Sequence, residues 1–353
     1  MRCEGDLAER FTGNPILSPA DVPPSRPGLE VAGVLNPGAF RWRGRTWLLL
    51  RVAERAVADA GTLTAPILDP ETPGGLRILR VAKDDPHLGE REPRGFRWRG
   101  RWYLTTLSHL RLASSEDGRR FRVEPRPILE GRGPLERFGV EDGRVTELDG
   151  EFHLTYTAVS PDGFGVGLVT TSDWASFRRR GMILPPPNKD CVLFPERVDG
   201  EHLILHRPVS AGLGGLSMWL ARSPDLVHWG GHQCLVRPRP GTWDEAKVGA
   251  GAPPVRISEG WLEIYHGADR DDRYCLGAVL LDARDPSRVL ARSRDPIVAP
   301  LAGYERQGFY RNVVFATGAF LDGDRLTLYY GAADEHVCAA EVSVAAVLNG
   351  LES

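Results

Sequence analysis

The chain has little that would tie it to a metal, a membrane or a nucleic acid. Its 353 residues include five cysteines (Cys3, Cys191, Cys234, Cys275 and Cys338), far apart, odd in number and without a CxxC pair. Free thiols are the plain reading of such spacing, and they fit a reducing compartment better than a disulfide-stapled fold. The nine histidines form no HExxH and no His/Cys cluster at ligand spacing, so no metal site is expected. No apolar run approaches the roughly 18 to 20 residues that cross a bilayer. The opening segment MRCEGDLAERFTGNPILSP lacks the apolar stretch of a secretory leader. With 44 basic against 47 acidic residues, a formal charge of -3 and a pI near 6.3, there is no one-signed field to attract nucleic acid or an anionic membrane. The expectation is a soluble, cytoplasmic protein that binds neither.

Long amphipathic helical runs are also missing, and short hairpins stand in their place. A β-type run, a Gly-containing turn and an aromatic or apolar strand recur in FRWRGRTWLLLRVA (40–53), FRWRGRWYLTTLSHL (96–110), VTELDGEFHLTYTA (145–158), ERVDGEHLILHRP (196–208), RISEGWLEIYHGAD (256–269) and FLDGDRLTLYYGAAD (320–334). The turn glycines Gly44, Gly100, Gly150, Gly200, Gly260 and Gly323 return at intervals of 50 to 63 residues. Such a period means a radial or stacked array of small sheets, and two-residue hairpins need a positive φ that glycine supplies. Several units continue to a third strand ending in a polar turn and an aromatic: SSEDGRRF (114–121), TTSDWASF (170–177) and ARSPDLVHW (221–229). Three or four short antiparallel strands per unit favour an all-β propeller over a sandwich or barrel. Six signals suggest six blades, but a blade built from both chain ends would let the first and last signals share a unit, so the count leaves five and six open. One minor helix is expected near Glu341–Leu351. The whole of 1–353 reads as one domain, with the segments of about 1–30 and 340–353 as extensions.

The order of NPILSP (14–19), VLNPGAF (34–40), SHLRLASSEDG (108–118), GVEDGRV (139–145), VLFPERVDG (192–200), LHRP (205–208), WDEAKVGAGAPP (243–254), IYHGAD (264–269), NVVFATG (312–318) and YYGAADE (329–335) resembles glycoside hydrolase family 130, a family of mannoside phosphorylases with some related mannosidases. The resemblance runs collinearly from Asn14 to about Glu335. It implies a five-bladed β-propeller with a central substrate cavity. It also implies cleavage of a β-mannoside by inorganic phosphate to α-mannose 1-phosphate, with phosphate as co-substrate and no cofactor. The SHLRLA and GAGAPP segments look most like the branch acting on β-1,2-linked mannobiose or oligomannan, beside members acting on mannosyl-N-acetylglucosamine.

The chemistry sets what to look for. Inverting cleavage needs an acid for the leaving oxygen and a nucleophile on the opposite ring face. A water nucleophile needs a second carboxylate as base, whereas phosphate is already an anion and needs cations to seat it. The acidic pair Glu141-Asp142 sits just ahead of a strand-turn-strand pattern, where a rigid strand end can aim a carboxylate. The family's Glu-Asp-x-Arg signature implies Asp142 as proton donor, acting through a hydroxyl of the mannosyl ring; Arg144 is read as a structural or orienting partner, and many members have Pro where this chain has Gly143. Lys189, Arg207, Lys247 and His266 fall on the family's phosphate-binding positions, and Asn36, Arg51 and Asp334 on positions that grip the mannosyl unit. Taken singly these have bland readings: a solvated lysine, a core histidine, an Asn-Pro turn, an exposed strand charge, a cap. His109 and Arg111 either reach the leaving sugar or support a blade, and Trp243, Tyr265 and Tyr330 either stack on sugar or fill space between blades. A hydrolytic β-mannosidase of the same fold would lack the cations and gain a base, and a non-catalytic carbohydrate-binding propeller would lack the acid. A homo-oligomer is compatible with everything above.

Overall fold

A computed structural model describes residues 6–58, 60–209, 212 and 214–352; Cys3 lies outside them. The described residues are all-β, with two short α-helices, Gly303–Arg306 and Val344–Asn349, the second where a minor helix is expected. The strands form five antiparallel meanders. Sheet I comprises Leu29–Trp42, Arg45–Ala56, Leu107–Ser115 and Arg122–Leu129. Sheet II comprises Val140–Leu148, Glu151–Ser160, Gly163–Thr171 and Arg178–Leu184. Sheet III comprises Asn188–Leu193, His202–Pro208, Met218–Ser223 and Gly230–Val236. Sheet IV is built from Lys247–Ala250, Val255–Ile257, Gly260–Ala268, Tyr274–Leu281 and Val289–Ser293, and sheet V from Val314–Asp322, Arg325–Ala332 and His336–Ser343.

Local chemistry explains the turns. Arg43-Gly44, Arg99-Gly100, Asp149-Gly150 and Asp199-Gly200 each place two successive residues at positive φ, the two-residue turn whose twist matches a hairpin. The polar turns after the third strands are also alike. Ser115, Thr171 and Ser223 accept backbone N–H bonds through their hydroxyls, and Asp117, Asp173 and Asp225 accept two more through Oδ1. Side chains thus satisfy a turn that no ladder covers.

Each sheet packs on the next, and sheet V returns to sheet I through Leu29–Trp42 against Val314–Asp322. The core is divided accordingly. One apolar cluster fills each of the five gaps, for example Phe40, Leu110, Phe152 and Trp174 between sheets I and II, and Phe194, Leu220, Trp261 and Tyr265 between III and IV. Trp243 stacks on Tyr265 at 5.6 Å and Tyr330 is fully buried between IV and V, so these aromatics fill inter-sheet space.

The six hairpin signals resolve in an unexpected way. Five belong to sheets I to V. The sixth, Gly100, belongs to an insertion between the second and third strands of sheet I, made of the hairpin Thr62–Leu68/Leu76–Ala82 and a three-stranded sheet, Leu88–Glu92, Gly95–Trp98 and Arg101–Leu104. The first and last signals therefore do not share a unit, although the chain ends do close the structure. Glu9–Arg10 pairs with His336–Ser343 in sheet V, and Leu351–Glu352 pairs with Val289–Ser293 in sheet IV.

Candidate active site

The first strand of every sheet lies at a sheet edge, and these edges converge. Four of them carry a pairing irregularity: between Leu35 and Gly38, Glu141 and Arg144, Lys189 and Val192, and Ala316 and Gly318. At three of the four a left-handed residue sits inside the slip: Asn36 (φ 44), Asp142 (φ 49) and Asp190 (φ 52). A bulge re-aims side chains that a regular strand would alternate, and Asn and Asp are the non-glycine residues best suited to that backbone. The room they enter is kept by glycine. A Cβ at Gly331 would lie 2.1 Å from Asn36 Oδ1, and one at Gly249 would lie 2.6 Å from Asp190 Oδ2.

The result is a cavity of about 200 Å³ lined by Asn36, Arg51, Glu92, Arg94, Glu141, Asp142, Lys189, Arg207 and Asp334, with walls from Trp102, Phe164, Tyr274, Phe309 and Phe315. Asp142 is its most heavily furnished carboxylate. Its Oδ1 accepts from Asn36 Nδ2 at 2.8 Å and from Arg51 Nη1 at 3.0 Å. Its backbone carbonyl accepts from Arg144 Nη1 at 2.8 Å. Burial by itself would raise the Asp142 carboxyl, but Arg51, Arg144, Lys189 and the Asn36 bond outweigh it and hold the group at about 2. Glu141 is raised, by burial first and Asp142 second, against the opposing pull of Arg51.

A second cluster stands beside the first. Asp190 is fully buried; its Oδ2 accepts from Arg207 Nε at 2.7 Å and lies 2.6 Å from Nη2. His266 Nε2 is 3.2 Å from the same oxygen, and Arg144 Nη2 is 3.6 Å from Oδ1. Burial alone would raise this carboxyl too, yet Arg207, His266 and Lys189 drive it well below the usual range. Arg207 is thereby held at the cavity wall. Lys189 Nζ lies 5.1 Å from the centre of the Phe164 ring.

A family model described as β-1,4-mannooligosaccharide phosphorylase, that of glycoside hydrolase family 130, matches residues 97–353. The chain belongs to glycoside hydrolase family 130. It is 40% identical to the β-1,2-mannobiose phosphorylase of Listeria innocua over 348 residues, 97% of this chain and 98% of that protein. It is 39% identical to a 1,2-β-oligomannan phosphorylase of Thermoanaerobacter over 235 residues, 66% of this chain and 77% of the relative. A solved structure of the Listeria enzyme with β-1,2-mannobiose superposes with a TM-score of 0.94, covering 97% and 98% of the two chains.

Against this family background, six of the eight residues expected from the sequence converge on the cavity: Asn36, Arg51, Asp142, Lys189, Arg207 and Asp334. Two do not line it. Lys247 Nζ is engaged by Asp272 at 2.6 Å and by the Tyr274 hydroxyl at 3.0 Å, so it reaches the cavity through Tyr274. His266 has no exposure and stands behind Asp190, its ring 4.3 Å from that of Phe315; burial pushes its imidazole down, towards the neutral form. His109 and Arg111 lie in the sheet, where Arg111 donates to the Pro23 carbonyl at 2.8 Å and burial holds His109 at about 3.

Sequence reasoning missed Asp190 and Arg94. Asp190 adjoins Lys189 in NKD, and nothing but the left-handed turn distinguishes it from a surface acid. Arg94 comes from the insertion, donates to Asp334 and packs 4.1 Å over the Tyr310 ring. Gly143, inside the same slip as Asp142, is closely packed. A Cβ there would meet Leu49 at 2.7 Å and Leu110 at 2.9 Å, both side-chain carbons.

Proposed function

We propose that this chain is an inverting β-mannoside phosphorylase that cleaves β-1,2-linked mannobiose or short oligomannan with inorganic phosphate, releasing α-mannose 1-phosphate and a shortened acceptor; β-mannosyl-N-acetylglucosamine is the next substrate to try. The observation that carries the reading is the shared cavity: Lys189 and Arg207 line the same hollow as Asp142, with Arg207 tied down by a buried carboxylate. An oxyanion nucleophile needs such cations and needs no base. Two of the cavity carboxylates other than Asp142, Glu141 and Asp334, are each engaged by an arginine, Arg51 and Arg94 respectively.

In this reading Asn36, Arg51 and Asp334 hold the mannosyl ring. Asp142 supplies the proton for the leaving oxygen through a ring hydroxyl, and Lys189 and Arg207 seat phosphate. Lys247 and His266 act one step removed, on Tyr274 and on Asp190. The five sheets, the five separate apolar clusters and the contact between sheets V and I support a five-bladed propeller forming one domain across 1–353, with the cavity where the inner edges meet. Phosphate is the only co-substrate and no cofactor is invoked. Four free cysteines among the described residues suit the cytoplasm, and no helix of the described residues is long and apolar enough to cross a membrane.

The test is incubation with β-1,2-mannobiose in the presence and absence of phosphate, with mannose 1-phosphate as readout. Phosphate-dependent formation of the sugar phosphate is expected. Equal release of free mannose without phosphate would transfer the reading to a β-mannosidase, and no turnover of any β-mannoside would leave a binding propeller.

A further inference from the structure

Successive side chains of a regular strand point to opposite faces, yet Glu141 and Asp142 both line the cavity. The slip in pairing between Glu141 and Arg144, with Asp142 at φ 49, turns alternation into joint presentation. One guanidinium then spans both acids: Arg51 Nη1 donates to Asp142 at 3.0 Å and Nη2 to Glu141 at 2.8 Å. Asp142 has Asn36 as a second donor, whereas Glu141 has no hydrogen-bond donor but Arg51 among the described residues.

The charges facing Glu141 are Arg51 from the second strand of sheet I, Asp142 beside it, Lys189 from sheet III and Arg94 from the insertion. Asp334, from the turn after the second strand of sheet V, competes for Arg51. Four cations and four carboxylates line the cavity in all, so it is balanced before any ligand arrives. A phosphate dianion leaves it with two negative charges in excess. The same site holds Asp142 ionised while burial pushes Glu141 up, so an arriving proton enters at Glu141 first.

We infer that Glu141 takes up a proton when phosphate binds, so that the Arg51-bridged pair carries one shared proton into the reaction. This rests on the phosphorylase reading. The balance closes: hydrogen phosphate dianion and one solvent proton enter, and the pair gives its proton to the leaving oxygen as the C–O bond breaks. The phosphate oxygen bonds the anomeric carbon, and the sugar phosphate loses the remaining phosphate hydrogen to solvent as it leaves as a dianion. Glu141 acts through Asp142 and is a positioning and proton-holding residue.

Sulfate is the probe, because it is a dianion that does not titrate near neutrality. Calorimetric titration of the intact protein at pH 7, in buffers of different ionisation enthalpy, should show uptake approaching one proton per sulfate bound. In Glu141→Gln, sulfate should still bind and the uptake should vanish. In mannobiose phosphorolysis the same variant should lose about tenfold or more in kcat, with its alkaline limb displaced and KM for mannobiose little changed. Sulfate binding without proton uptake by the wild-type protein, or uptake that persists in Glu141→Gln, overturns this inference alone. If neither sulfate nor phosphate binds, the phosphorylase reading falls and takes the inference with it.

Discussion

Left-handed backbone recurs through this molecule, and two sets of positions, four hairpin turns and three strand bulges, use it for different ends. In the hairpin turns it falls on Arg43, Arg99, Asp149 and Asp199, each followed by a glycine, and in all four the side chain is carried outward by a turn that any small or polar residue can make. At the converging strand edges it falls on Asn36, Asp142 and Asp190, each buried and each bonded to, or itself, a charged group of the cavity. These four turns spend the conformation on shape alone, unlike the turn at Ala333-Asp334, where left-handed Asp334 lines the cavity. The bulges spend the same conformation on aim, and a residue with a functional side chain bears the strain that glycine would avoid.

Removing the aimed group should give the largest effect. Asp142→Asn keeps a residue at ease in left-handed backbone and should cut phosphorolysis by about 10² to 10⁴-fold, with little change in thermal stability; substantial residual turnover would mean that another group is the acid. Arg207→Ala should follow, at about 10² to 10³-fold, because a cation set against the developing anion is lost. It also leaves Asp190 buried beside His266 without its main partner, so a stability loss should accompany the rate loss. Lys189→Ala, which breaks no hydrogen bond or ion pair of the ammonium among the described residues, should lose rate and keep most of its stability.

Much of this division was legible in the chain and some of it could not be. Xaa-Gly turns announce hairpins because the requirement is local, and five of six signals fall in the five main sheets. The sixth, at Gly100, is just as good a turn. Its sheet membership depends on what Arg101–Leu104 pairs with, which no local signal records. The site residues were reached through motif order, and six of eight meet in the cavity. Lys247 was displaced by Asp272, an acid 25 residues away with no motif of its own, and His266 by its burial behind Asp190. Asp190 and Arg94 were missed for the converse reason. One depends on a one-residue slip and the other on an insertion folding back over the cavity, and both are tertiary facts.

A third test uses acid. A carboxyl held lower in the folded chain than in the unfolded one stabilises fully above its unfolded value, near 4, and loses that contribution as pH falls toward its folded value, here about 2 for Asp142. Glu141, raised, works in the opposite sense and costs stability once pH exceeds its unfolded value. The wild-type unfolding free energy, followed by denaturant titration, should therefore fall more steeply between pH 4 and 2 than that of Asp142→Asn, by about 2 kcal/mol. Parallel curves would show that the Arg51, Arg144 and Asn36 partners do not stabilise the charged form.

The smallest effect comes from applying one substitution to both regions. Asn36→Gly and Asp149→Gly each replace a left-handed residue with the one that pays least for the conformation, so neither should destabilise through the backbone. Asp149→Gly should leave kcat unchanged and stability within about 0.5 kcal/mol, as expected of a turn position. Asn36→Gly removes the amide that donates to Asp142 Oδ1 and should lower kcat by about tenfold, the worth of one hydrogen bond to a charged group. Equal kinetics in the two variants would erase the distinction between bulge and turn, since the side chain at the bulge would then have no task that glycine cannot perform.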